Sequence, residues 1–443
     1  MSSRAQVSET LKTVFEQEAP KWARKHGLRE RLFSGTTLAY VLVLGWLPHP
    51  EAGSSALARF AGSFGLRVQN QQIEAHFTER TAAWLLDRLQ HAVSLVVTAS
   101  HEVSIPLLSR CAAVWIEESS TVSLPAALAS VWQGCGGNSK HSQAPLTEAS
   151  LKLGVRWNLR AGPLQGPYLH SARTHDRHTD LAEQPMEPGS LWIADLGDFA
   201  LYWLAHLSAQ GIFFLIRLKD PITLWINDQR GELLDCWPGA GQAPLDTLVR
   251  LGARGELEVR LLAWRVPDEA VAKREARIRE EARTHQKPVP ARTLAVARWT
   301  LVVTSVPAHL LSLSEAQALL RARWQIERLF KLWKEQCLLD EWRTKNPQRI
   351  LCEVYAKRLA MLVQHGLTIL ACWDDPHPSL LAVTEVIREN VSTLVYGLTG
   401  RLSLRKALVL IVQGIQGNGS IPARARRPSA SRLLLGAPVW GFT

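Results

Sequence analysis

The run Leu320–Gln336, "LRARWQIERLFKLWKEQ", sets Arg323, Glu327 and Lys334 at spacings of four and seven residues. At about 100° per residue, these three and Leu320 fall within an arc of roughly 60°, with Ile326, Leu329, Phe330 and Trp333 clustered beside them. One stripe is therefore apolar and can dock, and its neighbour carries an Arg-Glu-Lys row. A solvated face with an i,i+4 ion pair gives the same pattern, although Arg before Glu is the poorer order for such a pair. Two further acids favour chemistry. Glu118 closes the apolar run "AAVWIEE", and Asp195 closes "SLWIAD". Both stretches read as buried strands ending on a carboxylate, where open α/β sheets gather their sites. Three carboxylates at one spot repel each other and need a cation. Oxygen ligands without His or Cys suit Mg²⁺ or Mn²⁺. Two such ions activate a water or a 3′-hydroxyl and stabilise the leaving oxygen of a phosphodiester. Arg323 and Lys334 would hold phosphate oxygens, the first by its fork and the second as a point charge.

The chain that must position these groups has 443 residues, enough for two or three domains. Hydrophobic residues make up 47% and charged residues 21%, as in globular proteins with real cores. A net charge of +11 points to a polyanionic partner, most often nucleic acid. The six cysteines contain no C-x-x-C pair and suggest buried thiols in a reducing cytoplasm. The most apolar run, Thr36–Leu47, is too short to span a membrane, so no membrane association is expected.

Residues 1–105 read as short helices joined by tight turns, the material of helix-turn-helix DNA binders. Residues 106–219 alternate strand, hairpin, helix, strand, helix, strand, which is an α/β pattern with a mixed sheet. Between 220 and 308, "ITLWIND", "GELLDCW", "GELEVRLLAWRV" and "RWTLVVTSV" are strand-like around a charged helix, Asp268–His285, and form a β-rich insertion. Helix resumes over 309–345 as one element that starts at a capping box, with Ser312 and Glu315 or Ser314 and Gln317 at the right spacing, and runs into the Arg-Glu-Lys stretch. Residues 346–415 are helical, and 416–443 form a Gly/Pro/Arg/Ser-rich basic tail expected to be disordered.

"LRARWQIERLFKLWK" resembles the Y-x2-R-x3-E-x6-K signature of bacterial insertion-sequence DDE transposases. The blocks "LDEWRTKNPQRILCEVYAKRLAML", "SLPAALASVWQGCGG", "SLWIADLGDF" and "IRLK" extend the likeness over roughly residues 50–400. The resemblance implies a ribonuclease-H-like core, a mixed five-stranded sheet with helices, interrupted by the β-rich insertion. It places the catalytic, metal-holding acids at Glu118, Asp195 and Glu327 and the phosphate-binding residues at Arg323 and Lys334. It further implies two Mg²⁺ or Mn²⁺ ions, double-stranded DNA partners (terminal inverted repeats and target), a homodimer on DNA and work at the bacterial nucleoid. An insertion-domain Trp that holds a flipped base in some members would be Trp225, Trp237, Trp264 or Trp299, for each of which core packing is the commoner role.

Three departures from the pattern stand out. Glu118 occupies the place of the first Asp, with Glu117 beside it. One added methylene moves a carboxylate by about 1.5 Å, and a misplacement of about 1 Å can cost around a hundredfold in rate. Leu320 replaces the signature Tyr, and Asp198 stands where an aromatic is frequent. The alternative reading is therefore a catalytically inactive DNA-binding descendant, and a third is a nuclease of the same fold that cuts without joining. His170, His175 and His178 lack a matching Cys/His partner set and read as a solvated loop, and "GCGGNS" lacks the Lys-Ser/Thr of a phosphate loop.

Overall fold

A computed structural model describes residues 3–28, 31–95, 101–135, 148–219, 221–236, 244–373, 379–418 and 430–436. Its centre is one mixed sheet of ten strands: β1 (Val114–Leu124), β2 (Ala149–Asn158), β3 (Leu164–Ser171), β4 (Leu191–Ala194), β5 (Phe213–Arg217), β6 (Leu224–Ile226), β7 (Gln229–Gly231), β8 (Leu245–Leu251), β9 (Leu257–Arg265) and β10 (Trp299–Thr304). The order across the sheet is β3-β2-β1-β4-β5-β10-β9-β8-β6-β7. The strands β1, β2 and β3 form an antiparallel meander, and β4 and β5 run parallel to β1. The strands of the 220–308 region continue the same sheet, because β10 pairs antiparallel with β5.

Side chains alternate across each strand, so the sheet divides two cores. Ile116, Ile193, Leu215 and Val302 face a large helical core on one side. Trp192, Ala194, Phe214, Ile216 and Val303 face a smaller core on the other. The helices that accompany the sheet include α1 (Leu201–Ala209), α2 (Asp268–Thr284), α3 (Leu313–Ala322), α4 (Trp324–Cys337) and α5 (Pro347–Cys372). The helix α5 is buried on nearly all sides, as a core helix should be, and Asn346 caps it by accepting from the amides of Gln348 and Arg349. Glu353 within it is buried but paired to Arg349 at 3.2 Å and Lys357 at 3.5 Å. No helix of the described residues is long and apolar enough to cross a membrane. The apolar run from Thr36 is helical through Trp46, and Val41 to Leu44 are fully buried.

Several expectations are corrected. "GELLDCW" forms the short helix Leu233–Cys236 in place of a strand, since its apolar residues adjoin instead of alternating. Strand β1 runs six residues past Glu118, because the β2 hairpin keeps pairing with it to Leu124. Its parallel pairing with β4 does stop at Ile116, so Glu118 still lies just beyond the carboxyl edge of the parallel part. The single helix expected over the Arg-Glu-Lys stretch is two, α3 and α4, which meet at Arg323. The basic tail contains a helical turn, Ala430–Leu434, whose Leu433 and Leu434 are buried and which packs against α3; residues 419–429 and 437–443 lie outside the described residues.

Candidate active site

Adjacent strand residues point to opposite faces, so Glu117 and Glu118 on β1 lead to two separate clusters. Glu118 faces the large helical core. There α4 lays its apolar stripe, Ile326, Leu329, Phe330 and Trp333, against the sheet. The placement begins at α3, where Ser312 and Glu315 make both bonds of a capping box. At the α3–α4 junction the Arg323 amide still bonds Leu319, while its carbonyl accepts from Ile326, one residue short of α-helical spacing. The Arg323 side chain at that junction is buried.

The three acids from distant parts of the chain meet there, around one guanidinium. Arg323 donates to Glu118 Oε2 at 2.8 Å and to Glu327 Oε1 at 2.6 Å, and lies 3.4 Å from Asp195 Oδ1. The Arg323 side chain is 8% exposed, whereas Asp195 and Glu327 are 43% and 38% exposed. The site is a buried cation ringed by acids that open to solvent. Burial pushes the Glu118 carboxyl up to about 7, against the pull of Arg323, with Asp195, Asp198 and Glu327 adding to the rise. Three carboxylates against one guanidinium leave two negative charges unmatched when all are ionised. Among the described residues, no three acid, His or Cys side chains stand at metal-ligand spacing, and these three acids each contact Arg323. Their chemistry and charge deficit nonetheless suit a hard divalent cation. Lys334, about two turns along α4 from Glu327, is half-buried and makes no ion pair among the described residues.

Glu117 leads to the other cluster, on the smaller-core side. It accepts from Arg156 Nε at 2.7 Å and Trp192 Nε1 at 2.9 Å, and lies 3.5 Å from Arg177 Nη2. Arg177 also donates to Asp198, and its guanidinium carbon sits 5.0 Å from the ring centroids of Trp192 and Trp203. Arg156 completes its fork on the carbonyls of Leu181 and Gln184 and on Gln165. Here two acids meet two arginines, and all four side chains are at most 11% exposed. Burial pushes Asp198 up to about 6, against the attraction of Arg177. Sequence reasoning missed this cluster. Its visible signal was Asp198, one departure from the family pattern, and Glu117, the neighbour of another, which turn out to share one arginine.

The remaining candidates lie elsewhere. Trp264 and Trp299 are buried in the cores, and Trp225 donates to the Gly252 carbonyl with Arg230 and Arg250 over its ring. Trp237 is outside the described residues, as is most of "GCGGNS". His170 accepts from the Asp180 amide and His175 from the Arg177 amide, so both brace turns.

Residues 129–363 match a family model described as a transposase DDE domain, a span that begins after Glu118 and includes Asp195, Arg323, Glu327 and Lys334. The transposase for insertion sequence element IS231F of Bacillus thuringiensis subsp. israelensis is 23% identical over 363 residues, covering 76% of this chain and 73% of that protein. The transposase for IS231B of B. thuringiensis subsp. berliner is 21% identical over 440 residues, covering 91% and 89%. The transposase for IS1151 of Clostridium perfringens is 22% identical over 270 residues, covering 56% of each. With that match across half the chain, and the Arg-Glu-Lys signature at its end, the chain belongs to the DDE transposases of bacterial insertion sequences.

Proposed function

We propose that this transposase cuts and joins insertion-sequence ends at the Glu118–Asp195–Glu327 cluster, with two Mg²⁺ or Mn²⁺ ions held there. The observation that carries the proposal is the meeting of three carboxyl groups around the single guanidinium of Arg323. What two bound ions supply is activation of the attacking water or 3′-hydroxyl and stabilisation of the leaving oxygen. The protein's own part is to hold hard oxygen donors at a sheet edge and to keep Arg323 and Lys334 beside them for DNA phosphates. Glu118 supports the active reading, because its longer side chain reaches the same guanidinium as Asp195 and Glu327.

The strand order β3-β2-β1-β4-β5, with the first three antiparallel and the last two parallel to β1, supports a ribonuclease-H-like core. We assign residues 1–105 to recognition of the terminal inverted repeats, 220–308 to the insertion, and 346–415 to a C-terminal helical region. A homodimer on DNA, acting at the nucleoid, completes the reading. The test is cleavage of end-containing DNA with Mg²⁺ or Mn²⁺. Glu327→Ala should abolish both nicking and strand joining, and cleavage that survives the change removes the mechanism. DNA binding with no nicking by the natural protein, and nicking restored by Glu118→Asp, would instead favour the inactive descendant. Cutting without joined products would favour the nuclease.

A further inference from the structure

The two clusters on either side of the sheet share their backbone. Glu117 and Glu118 are consecutive on β1, and Asp195 and Asp198 are the two ends of one tight 3₁₀ turn, closed by the Asp198 amide on the Asp195 carbonyl at 3.0 Å. On the near face, Glu118 and Asp195 approach each other through Arg323. On the far face, their neighbours Glu117 and Asp198 are joined by Arg177. We propose that Arg177 is a positioning residue: by gripping Glu117 and Asp198 behind the sheet, it fixes the spacing of Glu118 and Asp195 in front of it. The inference rests on the reading that Glu118 and Asp195 hold a divalent cation.

The physical case is that Arg177 has little freedom. Its side chain is 1% exposed and lies against the faces of Trp192 and Trp203. Its own turn is anchored, since His175 accepts from the Arg177 amide at 3.2 Å and neighbouring Asp176 pairs with Lys152 of β2 at 3.2 Å. Among the described residues its Nε and Nη1 have no hydrogen-bond partner, so the contacts that direct the fork are those of Nη2 to the two acids and the indole faces. A guanidinium so placed cannot follow a wandering turn. Without it, the side-chain contact left to fix the Asp195 carboxyl, which is 43% exposed, would be the one to Arg323, and that contact must yield if a cation takes the acids. Arg177 thus does what outer partners of metal ligands do, holding the ligand-bearing segments when the inner contacts change.

The experiment measures Mn²⁺ binding to the chelator-stripped, full-length protein by the electron paramagnetic resonance signal of free Mn²⁺, alongside thermal melting. Asp198→Ala releases the turn and should weaken Mn²⁺ binding by about ten- to a hundredfold, the usual cost of an outer-shell partner. Asp198→Asn keeps an oxygen for Arg177 and should stay within about threefold of the natural protein on the same scale. Asp195→Asn serves as the reference and should lose tight Mn²⁺ binding. A purely structural role would lower the melting temperature in Asp198→Ala and leave the Mn²⁺ affinity of the folded protein unchanged; that result overturns the inference. Equal weakening by Ala and Asn also overturns it, because the charge and not the grip would then be at work. Undiminished binding by Asp195→Asn fells the cation reading itself, whereas loss in Asp195→Asn with full binding in Asp198→Ala fells only the role of Arg177.

Discussion

The two faces of β1 carry acid clusters of similar makeup and opposite design. Behind the sheet, Glu117 and Asp198 meet Arg156 and Arg177, charge for charge, with every group nearly sealed from solvent. In front, Glu118, Asp195 and Glu327 share Arg323 alone, and two of the three open to water. A buried ion cluster persists only when its charges are matched and hydrogen-bonded. The rear cluster meets that demand and reads as architecture. The front one leaves it unmet, which is the condition of a site waiting for a charged partner.

Perturbing each side should give opposite outcomes. The largest effect is expected in front: Glu327→Gln should lower DNA cleavage by more than the ~100-fold cost of losing an outer-shell partner. Its stability in denaturant titration should stay within about 0.5 kcal/mol of the natural protein, as for a partly exposed group whose removal relieves repulsion. Behind the sheet, Glu117→Ala leaves two buried arginines with Asp198 as their one remaining acid, and chemical denaturation should show a loss of about 3–5 kcal/mol. If the two variants behaved alike, the contrast between the faces would be lost.

A third measurement fixes the pH range for that comparison. His365 is buried against Trp157, bonded to the Gly162 carbonyl, and burial lowers it to about 4. The unfolded chain binds this proton near pH 6.5, so stability should fall as pH drops from about 6.5 toward 4. His365→Leu should flatten that limb of a melting-versus-pH curve, and the two clusters are best compared above it. The smallest effect belongs to the helix that delivers Arg323: Ser312→Ala removes its cap and should cost about 1 kcal/mol in denaturant titration.

The sequence made legible what rests on local periodicity and on strand ends. The strand bearing Glu118, the strand that ends just before Asp195, the charged helix at Asp268 and the capping box at Ser312 all follow from patterns within a dozen residues. The break at Arg323 did not, because a junction between two α-helical segments leaves the apolar periodicity intact. Nor did the continuity of the sheet, since the β10–β5 pairing joins residues about ninety apart and no local signal encodes it. The acids' spacing suggested a meeting point, but a helical wheel could not show that Arg323 would sit at its centre. The partnership of Glu117, Arg177 and Asp198 was hidden for the same reason: it depends on which strand lies beside which.

That β10–β5 seam has a consequence for the history of the molecule. The strand that docks on β5 is the last of its region, and only eight residues separate Thr304 from the start of α3. The address of Glu327 is thus written by β10 and is indifferent to how much chain is looped out between Arg217 and Trp299. Lineages could lengthen, trim or replace that excursion while the third acid kept its station, so long as a returning strand still found the same edge.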